Sequence, residues 1–138
     1  MSAPASIVVR RRVEWADTDA SGKYHNTVAF KLAEQAETRL LTALGLADEI
    51  YGRLPRVHMS LDMTEPLRFN DEVEVELQVE EVGRTSVAYG FEVRRDGRPV
   101  ATGRMIAVLL RASGEKEEWR DAHRRILETA GPQTWDGA

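Results

Sequence analysis

Residues 27–45, "TVAFKLAEQAETRLLTALG", decide the fold class, because apolar side chains recur in them at three- and four-residue spacing. This spacing predicts a helix from about Thr27 to Leu44, capped by Asn26 or Thr27 and ended by Gly45. The apolar stripe is rich in alanine, and such small side chains let a sheet approach the helix backbone closely. The stripe consists of Ala29, Leu32, Ala33, Ala36, Leu40, Ala43 and Leu44.

Outside this helix the sequence alternates between apolar and polar residues, as strands do. Residues 7–15, "IVVRRRVEW", form the first such segment, and four more follow from residue 57 to residue 110. Asp96-Gly97 predicts a hairpin between the last two strands. The last strand, "VATGRMIAVLL", becomes apolar on both faces, which indicates cover on both sides or burial by another subunit. The expected inward residues include Ile7, Val9, Val13 and Trp15 of the first strand and Val57, Met59, Leu61 and Met63 of the second.

A second helix is predicted at residues 115–130, capped by Ser113 and stopped by Gly131-Pro132, with a loose tail at 131–138. The predicted fold is therefore α+β. A five-stranded antiparallel sheet wraps around one long central helix, and a C-terminal helix follows. The chain is expected to be one domain, 1–138, with its core at about 7–111. Since one helix covers such a sheet incompletely, a subunit interface is also expected.

Composition excludes several classes of function. The 138 residues include no cysteine, which excludes disulfides, thiol nucleophiles, iron–sulfur clusters and cysteine-ligated zinc. A net charge of −4 disfavours nucleic acid as the partner. The sequence contains no membrane-length apolar run and no signal peptide pattern, so we expect a cytoplasmic protein without membrane contact. Its histidines and carboxylates show no metal-ligand spacing, and no metal is expected.

Three blocks together resemble a known family. They are "VEWADTDASGKYHN" at 13–26, "FKLAEQAETRLL" at 30–41, and the segment from "EPLRFND" at 65–71 to "MIAVLL" at 105–110. In this order and spacing they resemble the hotdog-fold acyl-CoA thioesterases of the 4-hydroxybenzoyl-CoA thioesterase type, over about residues 7–111. Three positions depart from the family's usual residues: Lys23 follows the glycine, an aromatic residue comes one position late at Phe30, and Glu37 stands where many members have arginine.

The resemblance implies a catalytic role for Asp19, the second aspartate of D-x-D, as nucleophile or general base on a thioester carbonyl. Gly22 permits the tight turn that aims Asp19 at the start of the helix. Backbone N–H groups near His25, Asn26 and Thr27 would bind the oxyanion. Asp17 is expected to be structural, and turn chemistry alone would explain both aspartates.

Other residues of this segment keep two interpretations each. His25 orients water or acts as an acid, or it is a turn residue facing solvent. Asn26 is a helix cap first and an oxyanion donor second. Tyr24 lines or gates the substrate pocket, or simply packs. Glu34 lies off the apolar stripe, which indicates solvation, whereas the resemblance allows it to face an active site across a dimer.

The turn at residues 84–86 is the second predicted binding segment. By resemblance, Thr85 and Ser86 approach the partner's active site, although a plain turn explains them as well. Arg84 is a candidate for the phosphates of coenzyme A, because arginine binds phosphate well. The same holds for Arg94, Arg95 and Arg98, which lie near the strand turns.

The sequence thus predicts a homodimer or homotetramer with active sites at the subunit interface. It would hydrolyse the thioester of an acyl-CoA or acyl-carrier protein to free acid and thiol. No cofactor is expected beyond coenzyme A or carrier-protein phosphopantetheine as part of the substrate. Two alternatives remain at this point: a non-catalytic acyl-CoA-binding hotdog protein, and a hotdog dehydratase or hydratase acting on acyl thioesters.

Overall fold

The computed structural model describes residues 2–18 and 27–135. Its helices are α1, α2 and α3, and a short 3-10 helix precedes α1. The helices span Val28–Ala43 (α1), Ala47–Ile50 (α2), Asp121–Thr129 (α3) and Trp15–Asp17 (the 3-10 helix). The strands span Ala3–Arg12 (β1), Arg56–Met63 (β2), Glu72–Val82 (β3), Ser86–Arg95 (β4), Arg98–Val108 (β5) and Ala130–Gln133 (β6).

One sheet contains these six strands, in the order β2-β5-β4-β3-β1-β6. Five strands pair antiparallel, and β6 pairs parallel to β1. The predicted α+β class is confirmed, but the prediction of a five-stranded sheet is wrong by one strand. The sixth strand comes from the chain's C-terminal segment.

The C-terminal segment differs most from the prediction. Its helix begins at Asp121, after Arg120 in the N-cap position, so residues 115–120 are not helical and Ser113 does not cap it. Part of the expected loose tail is β6, in which Pro132 lies opposite Ser6 of β1. The short segment carries Gly and Pro, which are rare in strands, and its partner lies more than a hundred residues away.

The apolar residues on one face of β3 and the apolar stripe of α1 pack together and form the core. Every second residue of β3 from Val73 to Val79 is buried, and α1 buries Ala29, Leu32, Ala33, Ala36 and Leu40 against the sheet. Leu41 is buried in α1, whereas Ala43 is exposed. Gly45 follows the helix with a φ of +75°, a left-handed conformation that glycine adopts without steric cost.

Two groups of apolar residues that were expected inward lie exposed. The first strand ends at Arg12, and Trp15 projects from the 3-10 helix with 67% of its surface exposed, packed edge-to-face on Phe69. Strand β2 lies at the sheet edge, where Val57, Met59 and Met63 are exposed. These side chains therefore do not belong to the core of one chain.

The register of the strands defines two ends of the sheet. At the first, which we call the Asp17 end, β1, β2 and β4 finish while β3 and β5 begin. At the opposite end, which we call the Arg84 end, β3 turns into β4 around Arg84. Helix α1 runs from the Asp17 end, where Lys31 meets Asp17, toward the Arg84 end, where Glu37 meets Arg56. It is therefore antiparallel to the edge strand β2.

The C-terminal segment packs on the Arg84 end. Arg124 of α3 donates to the carbonyl oxygens of Val82 and Gly83, and Trp119 Nε1 donates to the Ser86 carbonyl at 2.9 Å. Leu127 of α3 is fully buried. None of the described helices is long and apolar enough to span a membrane.

Candidate active site

Asp17 fixes the point where the chain leaves β1 for the predicted catalytic segment. Its side chain is 5% exposed, and its Oδ1 accepts a hydrogen bond from Lys31 Nζ at 2.7 Å. Its Oδ2 accepts a hydrogen bond from the Glu14 backbone N–H at 2.9 Å, which closes the 3-10 turn. Both oxygens are thus engaged in holding the backbone and the first turn of α1. The prediction that Asp17 is structural agrees with these contacts.

The same contacts set the charge of Asp17. Burial by itself raises the pKa of a carboxyl group, but here the hydrogen bonds from Lys31 and Glu14 and the positive charges of Lys31 and Arg11 outweigh it. The pKa of Asp17 is therefore lowered, and the side chain is an anion at neutral pH. An anion with both oxygens occupied is poorly suited to attack a substrate.

The structure describes both sides of the predicted catalytic segment. On one side, buried Thr18 donates its hydroxyl to the Trp15 carbonyl at 2.7 Å. On the other, Thr27 occupies the N-cap position of α1, and its side chain makes no capping hydrogen bond. The first N–H groups of a helix have no partner within the helix, and its dipole makes this end electropositive. This end of α1 is suited to an anionic ligand atom.

Five predicted site residues lie between these two anchors, outside the described residues. They are Asp19, Gly22, Tyr24, His25 and Asn26. Their predicted roles stay predictions.

Arg84, Thr85 and Ser86 lie at the opposite end of the sheet from Asp17. The Arg84 side chain is 81% exposed and pairs with Glu118 at 3.2 Å, while the Thr85 carbonyl accepts from the Leu109 N–H at 2.7 Å. Because β3 has eleven residues, this turn lies about 30 Å from the Asp17 end of the same chain. Within one chain, this turn is therefore remote from the Asp17–Lys31 pair that anchors the predicted catalytic segment.

Glu34 belongs to a charged cluster that the sequence did not predict. Arg56, the first residue of β2, donates from Nη2 to Glu37 Oε1 at 2.5 Å and from Nη1 to Glu37 Oε2 at 3.3 Å. Its Nε lies 3.3 Å from Glu34 Oε2. Glu37 is almost fully buried, whereas Glu34 is about half exposed. One signal was available, because Glu37 falls on the buried stripe of α1, one turn after Ala33.

Tyr89 of β4 completes this cluster beneath Glu37. Its ring is fully buried, and its hydroxyl makes no well-formed hydrogen bond among the described residues although it lies beside the Glu37 carboxylate. Burial raises the pKa of Glu37 more than Arg56 and Tyr89 lower it, so the net shift is upward. Burial and the Glu37 charge likewise raise the pKa of Tyr89, which stays neutral.

Aromatic side chains lie on the same side of α1, closer to its start. Phe30 in the first turn packs edge-to-face on Phe91 of β4, with 6.0 Å between ring centroids. The Phe91 ring occupies the space that a side chain at Gly103 would need. From its N-terminus, this face of α1 thus presents an aromatic pair, then Glu34, then the Glu37–Arg56 pair.

Within the described ranges, no three His, Asp or Glu side chains come close enough to hold a metal ion.

Comparison with known proteins identifies the family. The sequence profile of the Thioesterase superfamily matches residues 21–102, which is more than half of the chain. The chain belongs to the thioesterase superfamily. The hotdog thioesterase assignment from the three sequence blocks is confirmed, and with it the class of activity, hydrolysis of an acyl-CoA thioester.

Several relatives of this thioesterase have named activities or structures. A 1,4-dihydroxy-2-naphthoyl-CoA hydrolase of Synechococcus elongatus is 28% identical over 112 residues, covering 77% of this chain and 82% of the relative. A Thermus thermophilus thioesterase, solved in complex with coenzyme A and zinc, is 26% identical with a TM-score of 0.79, covering 92% and 95% of the two chains. A 1,4-dihydroxy-2-naphthoyl-CoA thioesterase from Synechocystis has a TM-score of 0.79 at 19% identity, covering 88% of this chain and 95% of that chain, and so shares the fold.

Proposed function

We propose that the segment between Thr18 and Thr27 is the catalytic loop of this thioesterase and that Asp19 is its catalytic carboxylate. The observation that carries this proposal is the ion pair of Asp17 with Lys31 in the first turn of α1. Thr18, the last described residue before Asp19, follows Asp17 directly, so the described end of the first anchor lies beside the first turn of α1.

The chemistry follows from a carboxylate beside a helix N-terminus. Asp19 attacks the thioester carbonyl carbon, or it takes a proton from a water molecule that does so. The carbonyl oxygen becomes an oxyanion, which the N–H groups at the helix start stabilise. The carbon–sulfur bond then breaks, and the coenzyme A sulfur leaves and takes up a proton. On the nucleophilic route this leaves a mixed anhydride between the acyl group and Asp19, which water hydrolyses to free acid and the restored Asp19 carboxylate. On the general-base route the attacking water itself becomes the hydroxyl group of the released acid. Both routes give the same products.

A second copy of the chain is the proposed partner, and β2 is the proposed contact. No strand in the described part of the chain pairs with the outer edge of β2, and the β2 side chains Val57, Met59 and Met63 are exposed and apolar. Such an edge is a template for pairing with another strand. The other edge of the sheet is only four residues long and contains Pro132, which has no N–H to donate.

Antiparallel pairing of two β2 strands places the start of one beside the end of the other. The Asp17 end of each subunit then lies next to the Arg84 end of its partner. The turn at residues 84–86 lies at the opposite end of its own sheet from Asp17, and in this pairing it thereby reaches the proposed site of the partner. This arrangement supports roles for Arg84, Thr85 and Ser86 in binding the coenzyme A part of the substrate across the interface.

Coenzyme A is the proposed acyl carrier, rather than an acyl-carrier protein. The Thermus thermophilus relative is described in complex with coenzyme A, and the Synechococcus elongatus relative is named as a hydrolase of an aromatic acyl-CoA. Hydroxylated aromatic acyl-CoAs are therefore the first substrates to assay.

Thiol release from a panel of acyl-CoAs tests the proposal with Asp19→Asn. We expect kcat to fall by about 10²- to 10⁴-fold, the range that a positioned acid–base group contributes. The matched control is Thr18→Val, next in the chain, which keeps the carboxylate. An Asp19→Asn enzyme with an unchanged kcat would remove Asp19 from the mechanism. Binding of acyl-CoA by the wild type without thiol release would indicate the non-catalytic alternative, and hydration of enoyl-CoA the hydratase.

A further inference from the structure

Four side chains come together at the edge of the sheet opposite β2, between β1, α1 and the segment after β6. Arg11 lies on the inward-facing side of β1, and Gln35 and Arg39 lie one turn apart on α1. The Arg39 guanidinium lies over the Trp135 ring, 5.5 Å from its centroid. Burial and then the positive charge of Arg11 lower the pKa of Arg39, so the two guanidinium groups lie within electrostatic reach of each other. We call these four residues the Arg11–Arg39 cluster.

The cluster carries positive charge that the described residues do not balance. Within the described part of the chain, no carboxylate forms an ion pair with Arg11 or Arg39. The charge of Arg11 reaches the Asp17 carboxylate, but the two Asp17 oxygens accept hydrogen bonds from Lys31 and from the Glu14 N–H. Two guanidinium groups held close together repel each other, and an anion between them would remove that cost.

Three buried polar atoms of the cluster have no hydrogen-bond partner among the described residues. They are Arg11 Nε, Trp135 Nε1 and Gln35 Oε1. The first two can only donate a hydrogen bond, whereas the third can only accept one. Buried polar groups usually have partners, so these atoms fit a ligand that offers anionic oxygens and one hydroxyl group.

We propose that the Arg11–Arg39 cluster is a binding site for free hydrogen phosphate, an anion that carries both kinds of oxygen. The two guanidinium groups and Trp135 Nε1 donate to its anionic oxygens, and Gln35 Oε1 accepts from its hydroxyl. The planar fork of arginine suits the geometry of phosphate. All four side chains are partly exposed, so the ligand enters from solvent. The site is separate from the proposed catalytic loop and from the β2 edge.

Isothermal titration calorimetry with inorganic phosphate at neutral pH measures the affinity. Arg39→Gln should weaken binding about tenfold or more, the loss of one charge-assisted hydrogen bond. Trp135→Phe keeps an aromatic ring against Arg39 and removes only the donor, so it should weaken binding about two- to tenfold. The control is Arg10→Gln, because Arg10 precedes Arg11 in β1 and is exposed on the opposite face of the sheet. Its affinity should equal that of the wild type.

Two other anions test the chemistry of the ligand. Sulfate has the shape of phosphate, and methyl phosphate carries the same phosphoryl group in an ester, but neither retains an acidic hydroxyl at neutral pH. Both would place an anionic oxygen against Gln35 Oε1, so both should bind about tenfold more weakly than phosphate. Equal or tighter binding of methyl phosphate would overturn the assignment to free phosphate, and equal binding of sulfate would overturn the hydroxyl contact on which it rests.

Gln35→Glu tests the charge argument from the other side, because it places a carboxylate inside the cluster. Without phosphate, this variant should have a higher Tm than the wild type, since the new anion balances the two arginines. Phosphate should raise the Tm of the wild type relative to chloride at equal ionic strength, but it should not raise that of Gln35→Glu. A Gln35→Glu variant that binds phosphate as the wild type does would place the anion elsewhere and overturn the proposal.

The chain itself contains a rival anion. Asp136 directly follows Trp135 in the sequence and lies outside the described residues. Asp136→Asn should leave the phosphate affinity unchanged, whereas a marked gain in affinity would show that this carboxylate fills the cluster and would overturn the proposal. Unchanged affinity in Arg39→Gln, or an equal loss in Arg10→Gln, would show non-specific attraction and would also overturn it. None of these readouts uses thioester hydrolysis, so they are independent of the result with Asp19→Asn.

Discussion

Lys31 of α1 donates a hydrogen bond to the buried carboxylate of Asp17 at 2.7 Å, and this ion pair ties the end of the first strand to the first turn of the helix. The two residues are fourteen positions apart and enclose the proposed catalytic loop. Whatever conformation the loop adopts, its two ends are held together by this contact.

Removing either partner of this pair should lower stability. Asp17→Asn and Lys31→Met should each reduce the free energy of unfolding by about 1–2 kcal/mol, since Lys31 is half exposed and its charge is partly screened. Denaturant unfolding of both single variants and the double variant gives the coupling energy. A coupling near zero would contradict the pairing.

Asp17 should also contribute to the pH dependence of stability. Its pKa is lowered in the folded protein, so its contribution is present above the unfolded pKa of about 3.9 and is lost as the pH falls through the folded value. Urea unfolding between pH 6 and pH 3 should show a smaller loss of stability in Asp17→Asn than in the wild type. Asp48→Asn, in an exposed position on α2, is the control.

The buried pair of Glu37 and Arg56 should be costly to break from one side. Arg56→Met leaves Glu37 buried beside Tyr89 without a counter-charge and should cost about 3–5 kcal/mol. The double variant Glu37→Met/Arg56→Met removes both charges and should recover most of that loss. Thermal unfolding measures both. A double variant no more stable than Arg56→Met would contradict this prediction.

Gly103 should not tolerate a methyl group. A Cβ there would collide with the Phe91 ring and the Ser60 carbonyl oxygen, neither of which can move freely. Gly103→Ala should destabilise by about 1–3 kcal/mol, as overpacking does. The control is Gly90→Ala, where the atoms nearest to the Cβ all belong to the flexible Glu80 side chain. Equal unfolding free energies for the two variants would contradict this prediction.

A charge on the exposed edge strand should separate the subunits. Met59→Lys should shift the proposed dimer toward monomer in analytical ultracentrifugation, because it places an ammonium group on an otherwise apolar edge. Activity per subunit should fall with it. Val8→Lys places the same charge on an exposed apolar position of β1 and should leave the dimer intact. A dimer unaffected by Met59→Lys would place the interface elsewhere.

Arg84→Ala should weaken substrate binding without destabilising the fold, since this side chain is 81% exposed. We expect KM for acyl-CoA to rise about tenfold, the loss of one arginine–phosphate contact. KM for the matching acyl-pantetheine, which lacks the nucleotide phosphates, should not change. Arg125→Ala, an exposed position on α3, controls for the loss of positive charge.

Local sequence patterns predicted the helices and strands that bury one face and expose the other. Strand β3 alternates from Val73 to Val79 as expected, and α1 differs from its predicted limits by one residue at each end. Burial on one face imposes a period of two or 3.6 residues, and that period is visible in sequence. The motif blocks likewise sufficed to identify the thioesterase family.

Features that depend on distant parts of the chain were not predictable in this way. The pairing of Pro132 with Ser6, the ion pair of Glu37 with Arg56 and the exposure of Trp15 arise from tertiary contacts that no local period encodes. Strand β2 alternates like a core strand, yet it lies at an edge. Its apolar side chains carry the same sequence signal whether they face the core or a partner.

Strand β6 forms one edge of the sheet and limits one route of assembly, the addition of further strands. A sheet with two open edges can add copies without limit and form a fibre. Here the edge formed by β6 is short and contains a proline, so it disfavours the addition of another strand. Two copies that pair through β2 would have a β6 strand at each outer edge of the joined sheet, and strand addition would stop at two copies.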